Sequence, residues 1–385
     1  MAAVLGVERS ICGRLWRDRL DDWSLAAALA QTHGLPEIVA RVLAARGVTA
    51  ELVQTFLKPT LRTLLPDPSQ LKDMDVAASR LARAIEAGES VAVFGDYDVD
   101  GATSAALLHR FFKAAGRPLR LYIPDRMKEG YGPNAPALRQ LKAEGVSLVV
   151  TVDCGITAYG PLAEAAEIGL DVIVVDHHVA EPELPRAHAV VNPNRLDEGG
   201  SLRQLAAVGV AFLLVVAVNR ALRRSGWWSQ PRPEPDLLQY LDLVALGTVC
   251  DVVPLTGLNR ALVAQGLRVL ARRGSTGLAA LADAARLKER PGTYHCGFLL
   301  GPRVNAGGRV GDADLGVRLL TAEDPGEAAA LAERLDRLNE ERRALERAML
   351  EEAIAEIEAA PDPGAKLAFV AKEGWHAGVI GIVAS

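Results

Sequence analysis

Cysteine is scarce in this 385-residue chain: Cys12, Cys154, Cys250 and Cys296 stand far apart and form no CxxC pair. Zinc ribbons and disulfide frameworks are therefore not indicated, and the thiols read as small buried groups of a reducing compartment. No apolar run approaches the roughly 20 residues needed to span a bilayer. The opening MAAVLGVERSICGRLW also lacks the charged, apolar and cleavage sections of a signal peptide. These absences predict a soluble, cytoplasmic protein. There is no excess of basic charge either: the formal net charge is −5. Nucleic-acid binding would have to rest on a local arginine track rather than on the overall balance. Hydrophobic sequence, by contrast, makes up 50% of the chain, enough for a large core divided among two or three domains.

The chain changes character along its length. Up to about residue 70 it is short and helical, with LAAALAQTHGLPEIVARVLAARG reading as helix, turn and helix. From about 75 the apolar runs VAVF, RLYIP, SLVVTV and DVIVVD alternate with helical stretches, the pattern of a parallel sheet with helices on both faces. An apolar helix over about 205–222, a loop RRSGWWSQPRPEP and a buried helix LLQYLDLVALG follow, with Trp227 and Trp228 read as packing residues. Beyond 260 the sequence is mostly helical, and 326–360 is one long amphipathic helix read as a solvated connector. KLAFVAKEGWHAGVIGIVAS begins like a strand and a helix and then stops. The expected division is an N-terminal helical cap (1–74), an α/β catalytic domain (75–260), a helical region with the connector helix (261–362), and the truncated start of a second α/β domain (363–385).

The densest chemistry lies in FGDYDVDGATS, where Asp96, Asp98 and Asp100 alternate before Gly101. A calcium loop begins this way but needs a glutamate at its twelfth position, which here is Leu107, and a helix before it, where VAVF reads as a strand. Capping and turn formation need one aspartate rather than three, and three at close range repel unless a cation sits among them. The strand VVTV runs into Asp153, and VIVV runs into Asp176, His177 and His178. Ligands of open parallel sheets bind outside the carboxyl ends of the strands, so these turns should face one cleft, with Asp251 in GTVCDVVPL as a further candidate.

Carboxylates with one or two imidazoles, and no thiolates, suit Mn²⁺ or Mg²⁺. Asp98, Asp100, Asp153, His177 or His178, and Asp251 are more ligands than one ion needs, which points to two ions about 4 Å apart and to phosphate-ester or anhydride hydrolysis. Cys154 has no evident base to make it a nucleophile.

GDYDVDG, VDCG, VVDHH and GTVCDVVPL, in this order, resemble the motifs of the DHH phosphoesterase superfamily. PDRMKEGYGPN, GPRVNAGGR and GWHAGVIGIVAS narrow the resemblance to the RecJ exonucleases over roughly residues 25–385. This resemblance implies two Mn²⁺ or Mg²⁺ ions, with Asp98, Asp100, Asp153 and His178 at the reaction, Asp96 a less certain ligand, and Asp176 supporting an imidazole. It implies 5′ to 3′ hydrolysis of single-stranded DNA to mononucleotides by a monomer, alongside single-strand-binding protein and a recombination helicase. The alternatives are a relative acting on short oligoribonucleotides or cyclic dinucleotides, and a non-catalytic DNA-bound scaffold. Some DHH proteins carry histidine four residues before the second motif aspartate, where this chain has Phe94. Arg303, Asn305 and Arg309, expected in a glycine-rich turn, and Arg126, Tyr131 and Asn134, in the loop after RLYIP, are candidate DNA contacts. Tyr131 is read equally as a base-stacking residue and as one packed against its own loop.

Overall fold

A computed structural model describes residues 6–20, 22–359 and 366–384. The chain divides into two compact units, one of Met1–Leu65 with Thr256–Ala261 and one of Pro66–Leu255 with Leu262–Ser385. In the first, helices Ser24–His33 and Glu37–Ala45 form the expected pair. Gly34 ends the first helix in the left-handed conformation (φ 61°), which costs least at glycine, and Pro36 leads into the second. Ala26, Leu29, Ala40, Leu43 and Val53 make a small core between them.

The second unit is built on five parallel strands: β1 (Val91–Gly95), β2 (Arg120–Tyr122), β3 (Leu148–Val152), β4 (Asp171–Val175) and β5 (Ala189–Val191), ordered β2-β1-β3-β4-β5. The first four are the apolar runs legible in the sequence, and β5 is the short AVV ahead of NPN. Ala92, Phe94, Val149, Val172, Val174 and Val190 form one buried cluster with residues of helices Ala135–Ala143 and Tyr159–Glu167. Helices Met74–Ala87, Val99–Ala114 and Ala207–Arg224 pack against the strands and one another to bury the alternate residues, among them Val93, Val150 and Ile173. Burial on both faces is why the strands read as continuous apolar runs rather than as alternating ones.

Register places the chemistry. Gly95 pairs with Val152, and Val152 with Val175, so β1, β3 and β4 end in one row. The ladder continues one residue further: the amides of Asp96, Asp153 and Asp176 donate to the carbonyls of Val152 (3.3 Å), Val175 (3.0 Å) and Val191 (3.1 Å). Because β2 and β3 lie on opposite sides of β1, the chain reverses direction across the sheet there, which opens a crevice at the ends of β1 and β3. Helix Leu241–Cys250 packs along Val99–Ala114 and delivers Asp251 from its C-terminal end.

Two expectations require correction. The segment GPRVNAGGR is not a turn but the helix Gly301–Val310. Its glycines serve close packing: a Cβ on Gly301 would stand 2.4 Å from Cys250 Sγ, one on Gly308 2.9 Å from the Tyr97 carbonyl oxygen, and one on Gly307 3.3 Å from Leu335. The strand expected from KLAFVAKEG is also absent; none of the described residues there joins a sheet, and only the helix Ala377–Val383 follows. A strand needs a neighbour for its backbone groups, and this run has none among the described residues. The long helix spans Pro325–Ala359. Trp228 meets Phe111 edge to face with ring centroids 6.1 Å apart, and Arg232 lies 3.9 Å over Trp227, so the tryptophans are packing residues.

Candidate metal centre

Asp96 follows β1 directly and is 5% exposed. Asp98 caps helix Val99–Ala114: its Oδ1 accepts from the amides of Asp100 (2.8 Å) and Gly101 (3.0 Å). The helix-cap reading is thus true of Asp98, but it uses only one of the two oxygens. Asp100 is fully enclosed and accepts from the amides of Ala207 (2.6 Å) and Val208 (2.9 Å), the first turn of helix Ala207–Arg224. Helix N-termini favour negative charge, and these amides hold the carboxylate in place. Gly101 is forced by proximity, since a Cβ there would come 2.5 Å from the Asp96 carbonyl oxygen.

Asp153 takes a left-handed backbone conformation (φ 61°), rare outside glycine and asparagine, just before Gly155 at φ 112°. Strain of this kind persists where surrounding structure over-determines it, commonly at functional sites. His177 lies among the carboxylates: its Nε2 is 3.3 Å from Asp153 Oδ1 and 4.0 Å from Asp100 Oδ2, and its Nδ1 is 3.6 Å from Asp251 Oδ2. His178 places Nδ1 2.7 Å from Asp176 Oδ1. Asp176 also accepts from the amides of His177 (2.7 Å), His178 (3.2 Å) and Ile156 (3.0 Å), so it holds the corner rather than facing the cleft. Tyr131 donates its hydroxyl to the Asp153 carbonyl (2.9 Å) and lies 3.4 Å from His178 Nδ1.

Three sets of donor atoms emerge, each within 4.8 Å: Asp153 with His177 and His178, Asp100 with His177 and Asp251, and Asp96 with Asp98 and Asp153. Asp153 and His177 each belong to two sets; the two oxygens of Asp153 can serve neighbouring ions, whereas the neutral ring of His177 offers one lone pair and would serve one of them. Buried, unpartnered polar atoms here include Asp96 Oδ1, Asp153 Oδ1, His177 Nε2 and Asp251 Oδ2. Leaving several buried carboxylate oxygens without donors is costly, so this constellation fits divalent cations and fits little else. The donors are oxygen and imidazole nitrogen; the thiols turn elsewhere, Cys154 towards the carbonyls of Val152 (3.4 Å) and Phe94 (3.8 Å) and Cys250 towards that of Cys296 (3.4 Å). Such a set suits Mn²⁺ or Mg²⁺.

Without cations the carboxylates resist ionisation. Burial, then the charge of Asp98, raises Asp96 to about 7. Burial and Asp98 likewise raise Asp251 to about 7. Burial and the neighbouring acids push Asp100 and Asp153 well above the usual range. Burial, then the charge of His178, lowers His177 and keeps it neutral. The hydrogen bond to Asp176 raises His178. Burial works against ionisation of Asp176, but the His178 contacts and backbone donors prevail and lower it.

The remaining candidate residues are distributed around this centre. Arg309 is partly buried and donates Nη1 to the Gly378 carbonyl (3.0 Å); burial, then the charges of Arg126 and Arg342, lower its pKa. Arg126 lies 5.2 Å over the Tyr97 ring. Arg303 pairs with Asp336 (2.8 Å), and Asn305 sits partly exposed on the same helix. Asn134 caps helix Ala135–Ala143 by accepting from the Ala137 amide (2.9 Å). Phe94 is core, stacked on Tyr122 with centroids 5.1 Å apart, and supplies no ligand.

Asn192 and Asn194 escaped sequence reasoning: their side-chain amides donate to the carbonyls of His178 (3.0 Å) and His177 and fix the histidine corner from the end of β5. A polar NPN directly after an apolar run was the available signal, the same strand-end rule that found the other acids.

The N-terminal domain of the DHH family matches residues 90–248. The chain is 40% identical over 376 residues to the single-stranded-DNA-specific exonuclease RecJ of Bacillus subtilis strain 168, covering 96% of this chain and 45% of that protein. The chain thus spans about half the length of that curated relative. A crystal structure of exonuclease RecJ bound to manganese matches with 39% identity and a TM-score of 0.73, over 83% of this chain and 77% of that one. RecJ from Thermus thermophilus in complex with Mn²⁺ matches with 35% identity and a TM-score of 0.79, over 94% and 50%. Sheet order, site geometry and these likenesses agree, and the chain belongs to the RecJ family of DHH proteins.

Proposed function

We propose that this chain is the catalytic portion of an exonuclease that hydrolyses single-stranded DNA from its 5′ end to 5′-mononucleotides in recombination and repair, with two Mn²⁺ or Mg²⁺ ions. The observation that carries the reading is the set of unpartnered, buried carboxylate and imidazole atoms at the ends of β1, β3 and β4. Asp96, Asp98, Asp100, Asp153, His177, His178 and Asp251 are the residues that would hold the ions. Bound there, divalent ions supply Lewis acidity and positive charge at the phosphorus and at both of its reacting oxygens.

The chain's own part is placement. Asp100, anchored by two amides, and Asp153, fixed by its strained turn, set the donor positions before substrate arrives. Asp176 holds the imidazole of His178 through Nδ1, which would leave the other ring nitrogen to bind an ion. Arg126, 5.2 Å over the Tyr97 ring, and Arg309 would grip the phosphates flanking the scissile bond. One water is consumed per nucleotide: its oxygen joins phosphorus, the bond from phosphorus to the 3′ oxygen breaks, and a proton ends on that oxygen.

The family relationship supports single-strand-binding protein and a recombination helicase as companions of a monomeric chain. A cytoplasmic setting is supported by the four free cysteines. No described helix is long and apolar enough to cross a membrane. The test is incubation of the purified chain with 5′-labelled single-stranded DNA, duplex DNA, short oligoribonucleotides and cyclic dinucleotides, with Mn²⁺ or with chelator. Loss of the DNA single strand in Mn²⁺ alone is expected; its survival there overturns the reading, and preferential loss of a ribonucleotide substrate replaces it with the alternative phosphodiesterase.

A further inference from the structure

Outside the metal centre, the chain exposes an aromatic pair where surface aromatics are few. Tyr294 and Phe298 are 63% and 70% exposed, yet their rings stack on each other with centroids 5.1 Å apart and an interplanar angle of 27°. They form one wall of a groove of about 610 Å³, closed on the other side by Arg342, Arg343, Arg347 and Leu350 of helix Pro325–Ala359. Arg343 and Arg347 are one helical turn apart on one face, and neither has a hydrogen-bond or ion-pair partner among the described residues. Arg342 pairs with Glu346, the only acid among the described residues that line the groove. An open aromatic stack opposite free guanidinium groups has what a polyanion with flat rings needs.

The groove is joined to the metal centre. Arg303 at its edge lies in the first turn of the helix that carries Gly308 against Tyr97, the residue between Asp96 and Asp98. Arg342 lines the groove, and its charge is felt at Arg309, which lies on the same helix as Arg303. Ten residues separate Phe298, in the π-helical turn His295–Leu300, from Gly308 in helix Gly301–Val310, a rise of no more than about 15 Å, or roughly four nucleotides at the 3.4 Å stacked spacing.

We infer that this groove seats the single strand about four nucleotides in from its 5′ end, with a base stacked on Tyr294 and Phe298 and phosphates on Arg343 and Arg347. The inference rests on the exonuclease reading of the metal centre and adds to it a sequence-tolerant station for the incoming strand, since every base offers a flat face. Such a station is closed to bases already stacked and paired in a duplex.

The experiment is binding in chelator, where the strand is not degraded, of a 20-nucleotide poly(dT) carrying a single 2-aminopurine at successive positions from the 5′ end. In the unaltered chain, fluorescence should be quenched most at about the fourth or fifth position. Tyr294→Ala with Phe298→Ala should abolish that quenching and weaken binding by about fivefold or more. Tyr294→Phe with Phe298→Tyr should retain both. Arg343→Gln with Arg347→Gln should reduce the salt dependence of binding by one to two phosphate contacts, roughly one to two units of slope. All four side chains are exposed or groove-lining, and circular dichroism of each variant confirms folding. Unchanged quenching and affinity in the double alanine variant overturns the inference. Failure of the unaltered chain to degrade single strands in Mn²⁺ is a separate result that strikes the exonuclease reading itself.

Discussion

Stripping cations from the centre should make the protein less stable as pH rises, the reverse of ordinary acid denaturation. Asp96 shows the size of the effect: its carboxyl ionises at about 7 in the folded chain against 3.8 when unperturbed. A group raised in the folded state contributes stability that is present below its unfolded pKa and is lost as pH climbs through the folded one. That difference corresponds to about 4 kcal/mol over the whole window, of which about 2 kcal/mol falls between about pH 5.5 and about pH 8. Asp251 shifts in the same sense through the same cavity, so the two are not additive. His177, lowered, contributes in the opposite sense over this window, and His178, raised, offsets it. Urea unfolding in chelator at the two pH values should therefore show the chain weaker by at least the share of about 2 kcal/mol from Asp96 at the higher one, or a few degrees in Tm. Asp96→Asn should remove its own share of that difference and leave the shares of Asp251, Asp100 and Asp153. Mn²⁺ at a hundredfold excess over its Kd should restore about 3 kcal/mol at the higher pH and little at the lower, where the ligands are protonated. Equal stability at both pH values in chelator, or an Asn variant with the same pH dependence as the parent, would refute the reasoning.

Further outcomes follow from the same geometry. Asp153→Ala removes a donor shared by two sets and should cut Mn²⁺-dependent hydrolysis by about 10²-fold or more, read as initial rates on labelled single strands. Asp176→Asn leaves every donor facing the cleft in place but loosens His178, and should cost about 10–100-fold in metal affinity, measured by Mn²⁺ titration. Gly101→Ala drives a methyl into the Asp96 backbone, with an expected loss of about 1–3 kcal/mol in urea unfolding and weaker Mn²⁺ binding. Asn194→Ala, which frees the carbonyls of His177 and Arg203, should cost about 1–3 kcal/mol.

Much of the α/β unit was legible because its information is local. VAVF, SLVVTV and DVIVVD are apolar throughout, and only a strand buried on both faces calls for that pattern. The aspartates directly after them follow from strand ends opening onto a crevice. GPRVNAGGR misled because glycine serves turns and close helix contacts alike; Gly301, Gly307 and Gly308 answer to Cys250, Leu335 and Tyr97, all distant in sequence. The KLAFVAKEG run has strand composition, but composition cannot supply a partner edge. β5 was too short to mark itself, and its asparagines went unread with it.

The sequence by itself determined which residue types meet at the strand ends, and so the class of ion that would fit there, because side-chain chemistry and strand period are properties of short segments. Only the tertiary structure decided their roles. It brought Asp96 into the donor set with Asp98 and Asp153, turned Asp176 inward to the histidine corner, and gave Asp100 the amides of a helix that begins over a hundred residues later. Those assignments depend on strand register and on which helix N-terminus meets which carboxylate, and such distances exist only once the sheet has formed.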